Sequence, residues 1–133
     1  MMALARMLAG VAFALAAGTA PAAEKPLQGD PKAGEMIYSR CFACHALAYD
    51  RTGPRHCGLF GRRAGSVKGF AYSDAMKRSK IVWNEKTLDR FLANPFAVVP
   101  GTAMGYAGVT DKKERADLIA YLKRANASPE CRK

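Results

Sequence analysis

Residues Cys41-Phe42-Ala43-Cys44-His45 constrain this chain more than any other stretch. C-x-x-C-H is the pattern by which a haem is attached covalently to a protein. Two thiols add across the two vinyl groups of one porphyrin. The two intervening residues let both sulfurs reach one porphyrin edge from a single helical turn. The adjacent histidine then falls beneath the iron as its proximal ligand. The five-residue pattern alone also fits a thioredoxin-like C-x-x-C or part of a zinc site using Cys41, Cys44, Cys57 and a histidine. The rest of the chain has to decide.

The N-terminus bears on that choice. Arg6 precedes an apolar run from Met7 to Ala17, and Ala20-Pro21-Ala22 supplies the small residues a signal peptidase inspects. A membrane span needs about 20 apolar residues. Here Gly18, Thr19 and Pro21 interrupt the run, and Glu24 and Lys25 close it. The reading is a signal peptide over 1–22, cleaved after Ala22, and one domain over 23–133. The product is expected to be periplasmic and soluble, not membrane-spanning after cleavage. Export fits covalent haem attachment, which in bacteria takes place outside the cytoplasmic membrane.

The 133 residues suffice for one domain, with a formal net charge of +10. Cleavage removes only Arg6, leaving 20 basic and 11 acidic residues, a balance of +9. No stretch interleaves aromatics with basic residues as a nucleic-acid platform does. An acidic protein surface is the expected partner instead.

Helical signals punctuate the rest. Asp30-Pro31 offers an N-cap and a first-turn proline for a helix that runs through Met36 and Ile37 into Arg40. From Leu47 to Gly69 the period is lost among Gly, Pro and Arg, a loop long enough to require a bulky cofactor as its core. A short helix is expected around Ala75 and Met76 between Phe70 and Arg78. Asn84 to Ala93 places Leu88, Phe91 and Leu92 on one face, and Asn94-Pro95 stops it. Val98 to Gly108 is loop again. Asp111 caps the strongest helix, through Asn126, with Ala116, Ile119, Ala120, Leu122 and Lys123 at helical spacing. Pro129 and Cys131 lie in a short tail. No strand alternation of any length and no internal repeat is present.

A haem iron held by His45 needs a sixth ligand or keeps an open site. Methionine paired with histidine raises the reduction potential and suits electron transfer. Once the signal is removed, Met36, Met76 and Met104 remain. Met36 and Met76 lie in helical patterns and read as core. Met104 sits in an irregular loop, Val99-Pro100-Gly101-Thr102-Ala103-Met104, and is the favoured ligand.

From about Lys32 to Asn126 the sequence resembles the class I cytochromes c, most of all the mitochondrial and soluble bacterial short-chain members. The matching stretches are Gly53-Pro54, Gly58-Leu59-Phe60-Gly61-Arg62, Gly69-Phe70-Ala71-Tyr72, Ile81-Val82-Trp83, Asn94-Pro95, Pro100-Gly101-Thr102-Ala103-Met104 and Arg115-Ala116-Asp117-Leu118-Ile119-Ala120-Tyr121-Leu122. The resemblance implies an all-α fold of three main helices, with short helices and loops wrapped round one covalent haem c. It implies His45 and Met104 as axial ligands. It also implies Pro54 as carbonyl partner of His45, and Arg62, Tyr72 and Trp83 as hydrogen-bond donors to the haem propionates. The N-terminal helix is expected to cross the one from Asp111, with Tyr121 and Leu122 in the contact.

Three departures from the family pattern stand out. Met76 and Phe91 replace an Asn and a Tyr that hydrogen-bond a buried water near the methionine sulfur in mitochondrial members, leaving only Thr102 of that set. His56 replaces a leucine that packs on the haem. It reads as a core histidine with one hydrogen bond, against a role in potential tuning or as an alternative ligand. Phe96 and Ala103 replace lysines of the docking face, while Arg40 and Arg51 keep positive charge near the haem edge.

Two cysteines remain, Cys57 and Cys131. In an oxidising compartment a leftover pair is expected to bridge, and the resemblance brings the loop holding Cys57 close to the end of the C-terminal helix. A buried inert thiol, or an intermolecular bond from Cys131, are the competing readings. The function expected is that of a monomeric, mono-haem carrier of single electrons between membrane or periplasmic redox proteins, and not an enzyme. Arg40, Arg51, Arg63, Lys68, Lys112 and Lys113 are candidates for its docking face. The alternative is a small haem peroxidase or haem-based ligand sensor, which needs an open iron position and is opposed by Met104 in its full motif.

Overall fold

The structure is a computed structural model and describes residues 27–132. The expected signal peptide and its cleavage point lie outside the described residues. Among the described residues five α-helices follow one another: α1 (Pro31–Tyr38), α2 (Asp74–Arg78), α3 (Glu85–Ala93), α4 (Pro95–Val98) and α5 (Lys112–Asn126). Two 3-10 turns, Ser39–Cys41 and Pro129–Cys131, extend α1 and the C-terminal end. No strand occurs among the described residues, and Arg63 and Val82 make one isolated antiparallel bridge.

The helix starts are written in the sequence. The Asp30 carboxylate accepts from the Lys32 N–H, and Pro31 occupies the first turn of α1. Asn84 and Thr87 form a reciprocal capping box on α3. Asp111 accepts from the Glu114 N–H at the start of α5. Each such cap contributes about 1 kcal/mol. Asn94 does more than end α3. Its side chain also accepts from the Ala97 N–H, and with Pro95 it starts α4, a turn that the sequence reading assigned partly to loop.

α1 and α5 pack against each other at Gly34. A Cβ placed there would lie 1.9 Å from the Asp117 carbonyl oxygen and 2.8 Å from the Tyr121 Cβ, so the two backbones touch where a side chain would stand. Tyr38, fully buried, stacks at a tilt on Tyr121 with ring centroids 5.0 Å apart. The inner stripe of α1 is therefore Gly34, Ile37 and Tyr38. Met36 lies off that stripe and is 73% exposed, so the expectation that it is core fails. Successive helical residues are about 100° apart, and the stripe set by Gly34 leaves no inward place for it. Met76 is buried as expected.

α5 buries two charged residues that its apolar spacing did not mark. Arg115 pairs with Asp89 of α3 at 2.8 Å and donates to the carbonyls of Val109 (2.9 Å) and Thr110 (2.8 Å). Asp117 accepts from the Asp30 N–H at 2.6 Å and from the Lys113 ammonium, which ties the start of α1 to α5. Ala116 and Ala120 are half-buried and Lys123 is exposed, so the buried face of α5 runs instead through Leu118, Ile119, Tyr121, Leu122 and Ala125.

Candidate haem site

The C-x-x-C-H segment leaves α1 through the 3-10 turn, and the His45 N–H donates to the Cys41 carbonyl at 2.8 Å. That bond keeps the segment helical for one further turn and presents Cys41, Cys44 and His45 to one cavity of about 490 Å³. Its walls combine Tyr38 of α1, Met76 of α2, Leu88, Phe91 and Leu92 of α3, and Leu118 and Leu122 of α5. The 47–69 loop closes it through Gly53, Pro54, His56, Leu59, Arg62 and Gly65, and the loop after α4 through Thr102, Ala103 and Met104. Every site residue expected from the sequence other than the Cys57/Cys131 pair, namely Cys41, Cys44, His45, Pro54, Arg62, Tyr72, Trp83 and Met104, faces this one space.

His45 is buried, and its Nδ1–H donates to the Pro54 carbonyl at 2.8 Å. That bond fixes the tautomer and leaves Nε2 as the nitrogen with a lone pair to give. Burial pulls the imidazole below its usual pKa, against the opposing pull of the Pro54 carbonyl, so the ring is neutral, as a ligand must be. Gly53 is required beside it. A Cβ there would sit 2.3 Å from the His45 Cε1. The Cys41 thiol is pushed up to about 11, chiefly by burial, with Arg40 pulling the other way.

Met104 is half-buried, and its N–H donates to the Thr102 hydroxyl at 3.2 Å. The loop that carries it is clamped at both ends. Thr102 N–H donates to the Val99 carbonyl and Val109 N–H to the Leu92 carbonyl, at 3.0 and 2.8 Å. A Cβ on Gly108 would fall 2.6 Å from the Ala93 carbonyl oxygen, so the loop returns flush against α3.

Arg62 donates through its two terminal nitrogens to the carbonyls of Cys57 (3.1 Å) and Arg55 (2.9 Å). Its Nε is the one buried side-chain nitrogen or oxygen without a hydrogen-bond partner among the described residues. Burial also lowers the guanidinium pKa. A half-buried cation with one buried donor left over fits an anionic group entering the cavity. Burial raises the Tyr72 phenol, which accepts weakly from the Val67 N–H at 3.4 Å. Trp83 is buried against Phe91 with ring centroids 5.0 Å apart.

Two thiols at helical spacing, a neutral imidazole, a thioether and a half-buried cation with a spare donor, set in an otherwise apolar wall, suit a haem with its propionates at Arg62. They do not suit a zinc ion. Among the described residues no group of three or more Cys, His, Asp or Glu side chains could hold a metal.

The sequence comparisons agree. The family described as Cytochrome c matches residues 31–126. The chain belongs to the cytochrome c family. It is 45% identical over 118 residues to cytochrome c2 of Blastochloris viridis, which spans 86% of this chain and 90% of that one. It is 55% identical over 98 residues to cytochrome c of Tetrahymena pyriformis, spanning 72% and 89%. The solved structure of cytochrome cH from Methylobacterium extorquens superposes with a TM-score of 0.70 at 42% identity, covering 72% of this chain and 99% of that one. The fold is thus the all-α class I cytochrome c fold, its cofactor a covalently attached haem c, and its role that of an electron carrier serving redox partners.

The site also holds residues that the sequence reading passed over. Tyr38 lines the cavity and its hydroxyl meets the His56 Nδ1 at 2.9 Å. Its place on the stripe of Gly34 and Ile37, three residues before Cys41, was the available signal. Two of the six basic residues singled out for docking are already paired: Arg40 binds Glu114 through two hydrogen bonds, at 2.7 and 2.8 Å, and Lys113 binds Asp117. Arg51, Arg63, Lys68 and Lys112 have no acidic partner among the described residues. Cys57 and Cys131 meet with Cα atoms 5.0 Å apart. No helix among the described residues is long and apolar enough to cross a membrane.

Proposed function

We propose that this cytochrome c is a monomeric, mono-haem, periplasmic carrier of single electrons that catalyses no reaction of its own. Its signal peptide is residues 1–22 and its mature domain residues 23–133. The observation that carries the reading is the convergence of Cys41, Cys44, His45 and Met104 on one apolar cavity. Cys41 and Cys44 would hold the haem covalently, and His45 and Met104 would ligate its iron. Bound there, the haem would supply a one-electron couple. The protein's own part is to hold still. Pro54 keeps the His45 ring in one tautomer, Thr102 holds the backbone at Met104, and the leucine-rich wall excludes water. Arg62, Tyr72 and Trp83 would take the propionates, with the spare Arg62 Nε–H as one donor. Cys57 and Cys131 would form a disulfide that ties the C-terminal turn to the loop beneath the haem. The unpaired cations Arg51, Arg63, Lys68 and Lys112 would meet acidic surfaces of membrane or periplasmic redox proteins. Acid–acetone extraction of the mature protein tests the core of the reading. The colour should stay with the polypeptide, and the protein mass should exceed that of residues 23–133 by one haem. Haem in the organic phase refutes covalent attachment.

A further inference from the structure

The His56 ring lies over His45 with centroids 4.3 Å apart and an interplanar angle of 21°, a stacked arrangement. The ring does not sit there loosely. Its Nδ1 is 2.9 Å from the Tyr38 hydroxyl, and Tyr38 is fully buried, locked against Tyr121 and edge-on to Phe42 at 5.1 Å. The backbone on either side is pinned too, with His56 N–H donating to the Ala46 carbonyl at 3.1 Å and Cys57 N–H to the Leu47 carbonyl at 2.8 Å.

The Pro54 bond restrains the His45 ring at a single atom. One hydrogen bond in the ring plane fixes which nitrogen carries the proton, but it resists rotation of the ring about the Cβ–Cγ bond only softly, and Gly53 packs on the ring with no side chain of its own. A flat ring packed on its face opposes that motion, because rocking drives one edge of His45 into the neighbour. A leucine at this position, the residue that the family usually carries, has no plane to offer.

We infer that His56, anchored by Tyr38, is a positioning residue that sets the plane of the His45 imidazole and so its orientation about the bond to iron. The inference rests on His45 being the axial ligand. Ligand-plane orientation governs how unpaired spin spreads over the porphyrin, so it is read directly from the haem methyl resonances of the ferric protein.

The test compares four haem-loaded proteins by proton NMR in the ferric state: wild type, His56→Leu, His56→Phe and Tyr38→Phe. His56→Leu removes the stacked plane and should change the order or spread of the four methyl shifts. His56→Phe keeps a flat ring but loses the Tyr38 hydrogen bond, so its pattern should fall between wild type and His56→Leu. Tyr38→Phe removes the anchor and should move the pattern in the direction of His56→Leu. The optical methionine–iron band and retention of colour on extraction are recorded for each protein, so loss of ligation, which would undo the underlying reading, is separated from a change in ring plane. Wild-type methyl patterns in both His56→Leu and Tyr38→Phe overturn the inference, as does a His56→Phe spectrum that matches His56→Leu.

Discussion

Replacing Gly34 by alanine should destabilise the haem-loaded protein by a net of about 2–3 kcal/mol. The added Cβ would stand 1.9 Å from the Asp117 carbonyl oxygen, roughly 1.5 Å short of the 3.4 Å at which ordinary contact begins. The obstacle is backbone, not the end of a mobile side chain, so α1 and α5 must move apart. Ile37, Tyr38, Leu118, Tyr121 and Leu122 are the buried side chains that this displacement loosens. Each contributes about 1.5–3 kcal/mol when fully buried. A gap of 0.5–1 Å forfeits roughly a quarter to a half of the dispersion attraction between facing atoms. Losing about a quarter to a third of their combined contribution gives a gross loss of about 3 kcal/mol. The helical preference of alanine over glycine returns at most about 1 kcal/mol of it. For a domain of this size the net loss of about 2–3 kcal/mol lowers the unfolding midpoint by roughly 8–12 °C. Thermal unfolding followed by far-ultraviolet circular dichroism, with the optical spectrum as a check on ligation, measures it. A midpoint within about 4 °C of wild type would refute the claim that backbone contact sets the crossing.

Met104→Ala should abolish the weak methionine–iron band at the red end of the oxidised spectrum and lower the reduction potential, because the thioether favours ferrous iron; the same loss in a Met76 variant instead would reassign the ligand. Electron-exchange rates with an acidic redox partner should fall as salt shortens the Debye length, about 10 Å at 0.1 M, and charge reversal at Lys68 or Lys112 should reduce that slope while reversal at Arg40, already paired with Glu114, changes it less; a flat salt dependence would point to apolar docking. Non-reducing digests should yield a linked Cys57–Cys131 peptide, and converting both to serine should cost about 4 kcal/mol by the chain-entropy account for a 74-residue separation; two alkylatable thiols in the native monomer would refute the bridge.

How much the residues declared in advance depended on whether their signal was local. Asp30, Asn84 and Asp111 announce helix starts because a cap is made within three residues of itself. Met104 was legible as a cavity residue from its irregular loop, which has no helical register to turn it elsewhere. Arg115 and Asp117 were not legible as core, because a charged residue reads as solvated until the carbonyls and the capped helix start that satisfy it are known, and those lie on other elements. Met36 misled for a related reason. Its apolarity suggested the core, yet the inner stripe of α1 is set by Gly34, a residue with no apolar side chain to advertise it. The stack of His56 on His45 joins residues eleven apart in sequence through a loop without periodicity, and nothing local encodes it.

The leucines of the cavity wall bear on where this molecule can work. Leu59, Leu88, Leu92, Leu118 and Leu122 are buried, yet all of them border the haem cavity, so the cofactor completes the hydrophobic interior. A cofactor that completes the interior and binds only the folded chain would, if merely dissolved, stabilise it in proportion to its free concentration. Thioether links at Cys41 and Cys44 would replace that concentration with a fixed effective one that dilution does not change. The folded carrier would then be as stable alone, far from any supply of haem, as it is in a crowd.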